Sequence, residues 1–438
     1  MDLFHTHRFV SAVTAAGFLL LGFLPCGAMA DDSAAGAPQD AAAAYGAIFD
    51  SIMVTWSDIV AGVERHPLVA AGDSRVAAAE GAVAEAGAIP NPSFDAALGR
   101  AAAFESGESR LAREFEITLP LGWLTRRGHR VDAAGALLEA AAAEKAIARR
   151  EALEQLHELF WTLVFDQAHV AELEEFSSQT NDLARLVGRR VETGEARPAE
   201  LTRFEIEADR AAIDLEGARA DLAASRASLA AWLGIAQAER ITARGDLTSV
   251  PGFSDAELNT APATSSHPLL SAGRARVRAL QADVSAEKWA RIPELALSGF
   301  SSRELDGRTY GGGVSLDIPL FNWNGGRIAQ AEGALAAERK ELEADSREIE
   351  AATFAARAAR AQAYEAARRY RERILPRAKR IAEVADKSFR LGEVTLLEVI
   401  DARRTLGESN RDYLKFLLRA RLESGRLAIL LGKDGIDL

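Results

Sequence analysis

The sequence is poor in the residues that build disulfide frameworks and bulky cores. It contains one cysteine, Cys26, among 438 residues, so a single chain can form neither an internal disulfide nor a cysteine-rich metal site. The net charge is −12, which argues against nucleic acid as a partner, because phosphate binding requires a basic surface. Aromatic residues make up only 7%. The apolar content rests largely on alanine, which favours long, closely packed helices.

Long apolar runs are also missing after the N-terminus. The one such run, residues 9–24, follows three basic residues and precedes the small-residue cleavage pattern Ala28-Met29-Ala30. This arrangement predicts a secretory signal peptide over residues 1–30 rather than a membrane anchor. The residues before Cys26 make a poor lipidation signal, so we expect no lipid anchor there. Any membrane crossing by the mature chain would therefore use strands.

Motifs of enzymes are absent from the sequence. It has no nucleophile elbow, phosphate loop, zincin motif or paired-cysteine site. We therefore expect no catalytic residues, no cofactor and no resident metal site. Five histidines follow the predicted signal, and none pair at helical i, i+4 spacing: His66, His129, His157, His169 and His267. His66 and His267 each precede a proline, which indicates packing at the start of a helix rather than metal binding.

The sequence does contain an internal duplication of one structural unit. The stretch around Gly392-Glu393 repeats an earlier one around Gly194-Glu195, about 198 positions before it, and Glu398 matches Glu200 in the same way. In each case a helical pattern ends in glycine and a new helix follows, which is a stop-and-restart signal. The duplication predicts a first repeat over residues 31–234, a linker over 235–266 and a second repeat over 267–438.

Each repeat has two strand-like segments before its long helix. Alternation in the segment 113–119 places Phe115, Ile117 and Leu119 on one face, with polar residues on the other. The remaining strand segments are 93–104, 294–302 and 310–318. Two hairpins per chain follow, and glycine-rich turns are expected after them at Thr125–Gly128 and Asn322–Arg327. An apolar outer face and a polar inner face would suit a membrane barrel shared between chains.

Unbroken helical patterns follow the hairpins. They predict long helices over 130–192 and 327–391 and return helices over 198–233 and 395–431, the latter two with apolar heptads. At about 1.5 Å per residue the long helices would span roughly 95–100 Å. The predicted fold class is mainly α with a small β part, with irregular structure in the linker beside the middle of the long helices.

The order of elements, seen twice along nearly all of the mature chain, resembles the TolC family of outer-membrane efflux proteins, and within it the CzcC-like heavy-metal branch. The resemblance implies a homotrimer in which four strands per chain build one twelve-stranded barrel in the outer membrane. The helices would form a periplasmic tunnel. Such proteins are passive exit ducts, and the resemblance implies that this one receives metal cations from an inner-membrane resistance-nodulation-division type pump through a periplasmic adaptor.

The resemblance also implies roles for particular residues. Glu398 and Asp401 fall where the family carries acidic residues that face the closed pore. The sequence departs from TolC in having Glu at 398 in place of Asp, and in having Arg203 in the first repeat at the place equivalent to Asp401. A purely local alternative is that Asp401 pairs with Arg404 on a solvated face.

The exposed glycine turns and their flanking charges predict where an adaptor docks. The expected contacts are Gly194, Glu195, Gly392 and Glu393. Two other readings remain open from the sequence alone. One is a drug-efflux or type I protein-secretion duct of the same family, because the inner-membrane partner mostly selects the cargo. The other is a soluble periplasmic coiled-coil scaffold, which explains export and heptads but not the proline-bounded hairpins.

Overall fold

The computed structural model describes residues 53–102, 109–249, 253, 267–304 and 307–432. All of them belong to one unit that spans residues 40–438. The predicted signal peptide, Cys26 and most of residues 250–266 of the predicted linker lie outside the described residues. No helix within the described ranges is both long enough and apolar enough to cross a membrane.

The first half of the chain runs from short elements into a hairpin and then into two long helices. Its elements are β1 (Met53–Thr55), α1 (Trp56–Gly62), α2 (Pro67–Gly87), β2 (Ser93–Ala102), β3 (Ser109–Pro120), α3 (Trp123–Glu192), α4 (Pro198–Leu233) and β4 (Thr242–Arg244). Proline occupies the first position of α2 and of α4. Proline suits that position because its missing N–H would have no partner inside the helix.

The second half repeats the hairpin, the long helix and the return helix. Its elements are α5 (Pro268–Trp289), β5 (Glu294–Glu304), β6 (Gly307–Asp317), α6 (Gly325–Arg369), α7 (Leu375–Leu391) and α8 (Leu396–Leu430). The return helix α4 has the bounds predicted for it, and α8 differs from its prediction by one residue at each end. The repeat boundaries themselves stay a prediction.

Helix α3 is longer than the sequence pattern indicated. It runs unbroken for 70 residues from Trp123, which is roughly 105 Å at about 1.5 Å per residue. The predicted turn at Thr125–Gly128 was therefore wrong. The Thr125 hydroxyl donates to the Gly122 carbonyl (3.0 Å), and Arg127 Nε donates to the Gly87 carbonyl (2.7 Å). One glycine costs a helix only about 1 kcal/mol, so Gly128 does not end it.

The second long helix is interrupted where the sequence pattern predicted continuity. Between α6 and α7, residues Tyr370–Ile374 form a π-helical turn, and the Leu375 N–H donates to the Tyr370 carbonyl five residues back. Pro376 follows at once. A proline inside a helix has no N–H to donate, and its ring clashes with the carbonyl four residues earlier. The wider π turn accommodates this proline, so the prediction of an unbroken helix over 327–391 was wrong.

The two hairpins join into one antiparallel sheet of order β2-β3-β5-β6. The new contact is between β3 and β5, where Ile117 lies opposite Gly299 and Leu119 lies opposite Leu297. Within the described chain, β2 and β6 each pair on one side only. The sheet therefore has two open edges. Exposed edge strands promote aggregation unless they are paired or covered.

The two faces of the sheet differ as the alternation predicted. Phe115 and Ile117 share a face with Ala96 and Phe94 of the neighbouring strand. Large apolar side chains on this face are exposed: Phe94, Leu98, Phe115, Ile117, Leu119, Leu295, Leu297, Tyr310, Val314 and Leu316. The other face is mostly polar or small and carries Asp95, Glu114, Glu116 and Thr118. Phe300 is an aromatic exception there, and its ring covers Gly311.

The main hydrophobic core lies beside the middle of α3. Fully buried side chains of α3, among them Leu153, Leu156, Phe160 and Leu163, pack with residues of α1, α4 and α8. The predicted linker reaches the same level, because Gln167 of α3 exchanges hydrogen bonds of 2.8 and 3.0 Å with the backbone of Ala243 in β4. The parallel pair β1–β4 is thereby fixed against the long helix.

The histidines interpreted as helix-start packing lie at helix starts. His66 precedes α2, where its Nδ1 accepts the Leu68 N–H at 3.3 Å, and its ring stacks on Trp232 at 4.9 Å between centroids. Burial lowers the pKa of His66. His267 precedes α5 in the equivalent place. These contacts confirm the packing interpretation for His66.

Candidate functional site

The two helical tips have the same backbone design. At the end of α3 the Gly194 N–H donates to the Val191 carbonyl and the Glu195 N–H to the Arg190 carbonyl. At the end of α7 the Gly392 N–H donates to the Phe389 carbonyl and the Glu393 N–H to the Ser388 carbonyl. This pair of bonds is the Schellman motif. Both glycines have φ +78°, a left-handed conformation that residues with a β-carbon enter only with strain.

The structure brings the two tips together through an apolar cluster. Its buried members come from all four helices that reach the tips: Leu183, Val187, Phe204, Ala385, Phe389, Leu396, Val399 and Ala402. The rings of Phe204 and Phe389 meet edge to face at 6.4 Å. The tips therefore form one packed end rather than two independent helix pairs.

Arg190 joins the tips by polar contacts. Its guanidinium donates to the carbonyl of Phe389 at 3.4 Å and to that of Arg390 at 3.2 Å, and it lies 5.2 Å from the Phe389 ring centre. The last carbonyls of a helix carry partial negative charge and lack helical donors, so a cation there is stabilising. Arg190 was not assigned this role from the sequence.

The four residues predicted to contact an adaptor are all exposed. Gly194 and Glu195 form the turn of the first tip, and Gly392 and Glu393 form that of the second. The Ser388 hydroxyl donates to Glu393 Oε2 at 3.2 Å. The structure thus presents two charged turns side by side at the end of the helices.

Glu398 lies in the first turn of α8 and is exposed. The Thr395 hydroxyl, at the residue that caps this helix, donates to Glu398 Oε1 at 3.0 Å. Thr395 and Glu398 have the spacing of a capping box, so Glu398 has a local partner that was not predicted from the sequence. A negative charge in the first turn also suits the positive end of the helix dipole. Glu398 therefore has a structural role beside any role in a pore.

Asp401 lies in a groove between the return helices α4 and α8. Arg203, Glu207, Arg210, Ile400 and Arg404 line the same groove. The local alternative for Asp401 required Arg404 as its ion-pair partner. Instead Arg404 donates to both carboxylate oxygens of Glu207, at 3.0 and 2.9 Å. Within the described chain Asp401 makes no ion pair, and its carboxylate stays available.

Two ion pairs fix the second return helix. Arg404 ties α8 to α4, and the bond to Glu207 raises the pKa of Arg404. Arg403 ties α8 to α7 through two bonds to Asp386, of 3.0 and 2.7 Å. Neither pair was identified from the sequence. The sequence does contain a signal for the pair between Glu207 and Arg404. The two residues are 197 positions apart, nearly the repeat offset, so they lie at similar distances from their respective tips.

Metal-ligating side chains do not cluster at the tips. Across the described ranges, no group of three or more His, Cys, Asp or Glu side chains is placed to hold a metal ion. The arrangement offers an exposed carboxylate pair, a packed helical end and charged turns.

Long helices that end in paired tips, joined to a small sheet with an exposed apolar face, define a channel of the outer-membrane efflux type. The chain belongs to the outer membrane efflux protein family, whose family model matches residues 61–235 and again residues 262–433. It is 25% identical to the cobalt-zinc-cadmium resistance protein CzcC of Cupriavidus metallidurans over 340 residues, covering 77% of this chain and 80% of CzcC.

Solved structures share the fold. The outer-membrane channel OprN has a TM-score of 0.75 at 16% identity, covering 89% of this chain and 92% of OprN. The outer membrane protein VceC from Vibrio cholerae has a TM-score of 0.71 at 19% identity, covering 86% of this chain and 96% of VceC. These comparisons confirm the TolC-type resemblance, the fold class and the outer-membrane location with a periplasmic helical tunnel. The chain is a channel component and not an enzyme.

Proposed function

We propose that this chain is the homotrimeric exit duct of a tripartite system that expels metal cations, with the carboxylates of Glu398 and Asp401 lining its periplasmic aperture. An inner-membrane resistance-nodulation-division type pump would supply the energy, and a periplasmic adaptor would connect the pump to the helical tips. The single observation that carries the proposal is the family match over both halves of the chain. The soluble-scaffold alternative is incompatible with that membership.

The sheet supports a trimer. Four strands are too few to close a barrel around a channel, and an open edge cannot face lipid because its N–H and C=O groups would lack partners. Pairing β6 of one copy with β2 of the next would satisfy both edges. Three copies would supply twelve strands, with the exposed apolar face toward lipid and the polar face toward the lumen.

The charge and position of Glu398 and Asp401 support an aperture role. They lie three residues apart on α8, so they point to similar sides of the helix, and both are exposed. Threefold symmetry would gather six carboxylates around one axis. Such a ring would attract cations to the mouth and repel anions, while the packed tips obstruct passage until the return helices move outward.

Single-channel recording tests the aperture. The double variant Glu398→Ala/Asp401→Ala, in a planar bilayer, should lose most of its cation selectivity and its block by multivalent cations. The matched control Glu195→Ala/Glu393→Ala removes two carboxylates from the neighbouring turns and should conduct like wild type in the bilayer. Unchanged selectivity and block in the first variant would place Glu398 and Asp401 away from the pore.

The same control variant tests adaptor docking. Because Glu195 and Glu393 are exposed on the turns, their loss should weaken resistance in cells that also produce the pump and the adaptor, although the channel itself still conducts. Full resistance at normal expression, in this variant and in one altered at Gly194 and Gly392, would contradict docking at the tips.

The cargo proposal rests on the likeness to CzcC. Deleting the gene in the organism that carries it should lower tolerance to cobalt, zinc or cadmium and leave tolerance to a panel of drugs unchanged. The reverse pattern would favour the drug-efflux alternative. Loss of a secreted protein from the medium, with both tolerances intact, would favour the type I secretion alternative.

A further inference from the structure

The π turn and helix α7 carry an apolar stripe, here the α7 stripe, that nothing among the described residues covers. The stripe consists of Ile374, Ile381, Val384 and Leu391, whose exposed fractions run from 38% to 73%. The spacing of seven, three and seven residues is that of a coiled-coil seam. The helix already buries a different face, formed by Ala378, Ala382, Ala385 and Phe389. A second apolar face on a helix indicates a second packing partner.

Basic residues flank this α7 stripe at heptad spacing. Arg373, Arg380 and Lys387 recur every seven residues, and Arg377 lies within the stripe itself. All four are exposed. Within the described chain none of them makes an ion pair. Side chains in these flanking positions set partner choice in coiled coils through charge pairing, so the stripe calls for an acidic partner helix.

Helix α4 has the complementary surface. Ile206 and Ile213, seven residues apart, are 47% and 66% exposed on the side away from its buried face. Beside them lie Glu205, Asp209 and Glu216, which are exposed and make no ion pair within the described residues. We name Ile206 and Ile213 the α4 stripe. It does not pack on the α7 stripe of its own chain, because both stripes remain exposed.

The basic residues of α7 and the acidic residues of α4 lie at similar distances from the helical tips. The tips of α7 and α4 are packed together, with Phe204 against Phe389, so distances from the tips can be compared. Along the helices, Arg380 lies roughly 18 Å from Gly392 and Asp209 roughly 17 Å from Pro198, at about 1.5 Å per residue. The same arithmetic pairs Arg373 with Glu216, Lys387 with Glu205, and Val384 with Ile206.

We propose that the α7 stripe of one copy packs on the α4 stripe of the next copy, with Arg373, Arg380 and Lys387 facing Glu216, Asp209 and Glu205. This seam rests on the proposed homotrimer and adds the helical contact that holds it. The contact is head-to-tail, and with threefold symmetry between the copies it generates a closed ring. The sheet contact runs in the same direction around the ring. In both contacts an element from the second half of one copy, α7 or β6, meets an element from the first half of the next copy, α4 or β2.

Charge exchange tests the seam. Arg380→Glu alone, and Asp209→Arg alone, should each reduce the fraction of trimer that survives mild heating in SDS by roughly threefold or more, since three like-charged pairs would meet per ring. The double variant Arg380→Glu/Asp209→Arg should restore it. Lys379→Glu, on the other side of α7, is the matched control and should behave like wild type. The seam would be overturned if the double variant retained no more SDS-resistant trimer than the single variant that retains less of it.

Disulfide trapping separates the seam from the trimer. A chain with Val384→Cys and Ile206→Cys should give covalent trimers under oxidation, and each single variant should give none. Light scattering in detergent reports the mass independently. If the protein has the mass of a trimer but no covalent trimer forms, the seam is overturned and the proposed function stands. This outcome includes the case in which the stripes bind the adaptor instead. Monomer mass for wild type and single variants would overturn the homotrimer itself.

Discussion

At the scale of single residues, the tip glycines show how local conformation limits substitution. Gly392 has φ +78°, and a β-carbon built on it meets no other atom within 4 Å. Any penalty for replacing it therefore comes from the backbone and not from a clash. Gly333 offers the opposite case, because it lies inside α6 with equally free space and without a positive φ.

We therefore expect opposite effects from substitutions at these two glycines. Gly392→Val should destabilise the trimer by about 1–3 kcal/mol, since β-branched residues fit the left-handed region poorly, and should abolish resistance without preventing assembly. Gly333→Ala should stabilise it by up to about 1 kcal/mol. Thermal unfolding in detergent and a resistance assay measure both. Normal efflux by Gly392→Val at normal expression would contradict the role of the tip.

A buried histidine gives the structure a pH dependence. His157 lies between Trp56 and Trp161, at 5.2 and 6.1 Å between ring centroids, and Gly425 leaves room for its ring. Burial, reinforced by the charge of Arg421, lowers the pKa of His157 from 6.5 to about 3. The folded protein therefore holds this side chain neutral, whereas the unfolded chain takes up a proton below pH 6.5.

The sign of the effect follows from proton linkage. Between pH 6.5 and about 3 the unfolded state binds the extra proton, so the contribution of His157 to stability falls as the pH is lowered through this window. We expect His157→Phe to make melting temperature less dependent on pH between 6.5 and 4 than in wild type. Parallel pH profiles for the two proteins would show that His157 does not carry the effect.

At the scale of elements, the sequence predicted those features that local chemistry controls. The bounds of α4 follow from Pro198 and Gly234, and the tip turns follow from Gly194 and Gly392. The π turn was missed because Pro376 lies within an otherwise continuous amphipathic pattern. The ion pair between Glu207 and Arg404 was missed because heptads give which face of a helix is buried, but not which other helix it meets.

The π turn before α7 leads to a prediction about backbone protection. Pro376→Ala would add an N–H donor and remove the ring that opposes a regular helix. Amide hydrogen exchange in residues 371–379 should then become slower, while residues 355–365 of α6 should exchange as before and serve as the internal control. Unchanged exchange in the first segment would show that the turn does not depend on the proline.

At the scale of the whole molecule, the two faces of the sheet determine where charge is tolerated. Val314 lies on the apolar face opposite Leu297, and the adjacent Ser315 lies on the other face opposite Ala296. A lysine in the lipid-facing band of a barrel costs about 2–4 kcal/mol near the bilayer centre, whereas lumen positions accept it.

The adjacent pair Val314 and Ser315 therefore makes a matched test of orientation. Val314→Lys should strongly reduce the amount of SDS-resistant trimer in the outer membrane, and Ser315→Lys should leave it near the wild-type amount. Heat-modifiable migration on gels measures both in the same membranes. Equal loss in the two variants, or greater loss in Ser315→Lys, would reverse or remove the assignment of the faces.

The two open edges of the four-stranded sheet have a consequence for inheritance. If three copies must share one barrel, a cell that makes equal amounts of normal and altered chains assembles only about one eighth of its channels from normal chains alone. An allele that changes Gly392 but assembles normally should therefore be dominant over the wild-type gene. An allele that prevents strand pairing should be recessive, because its product never enters the shared barrel.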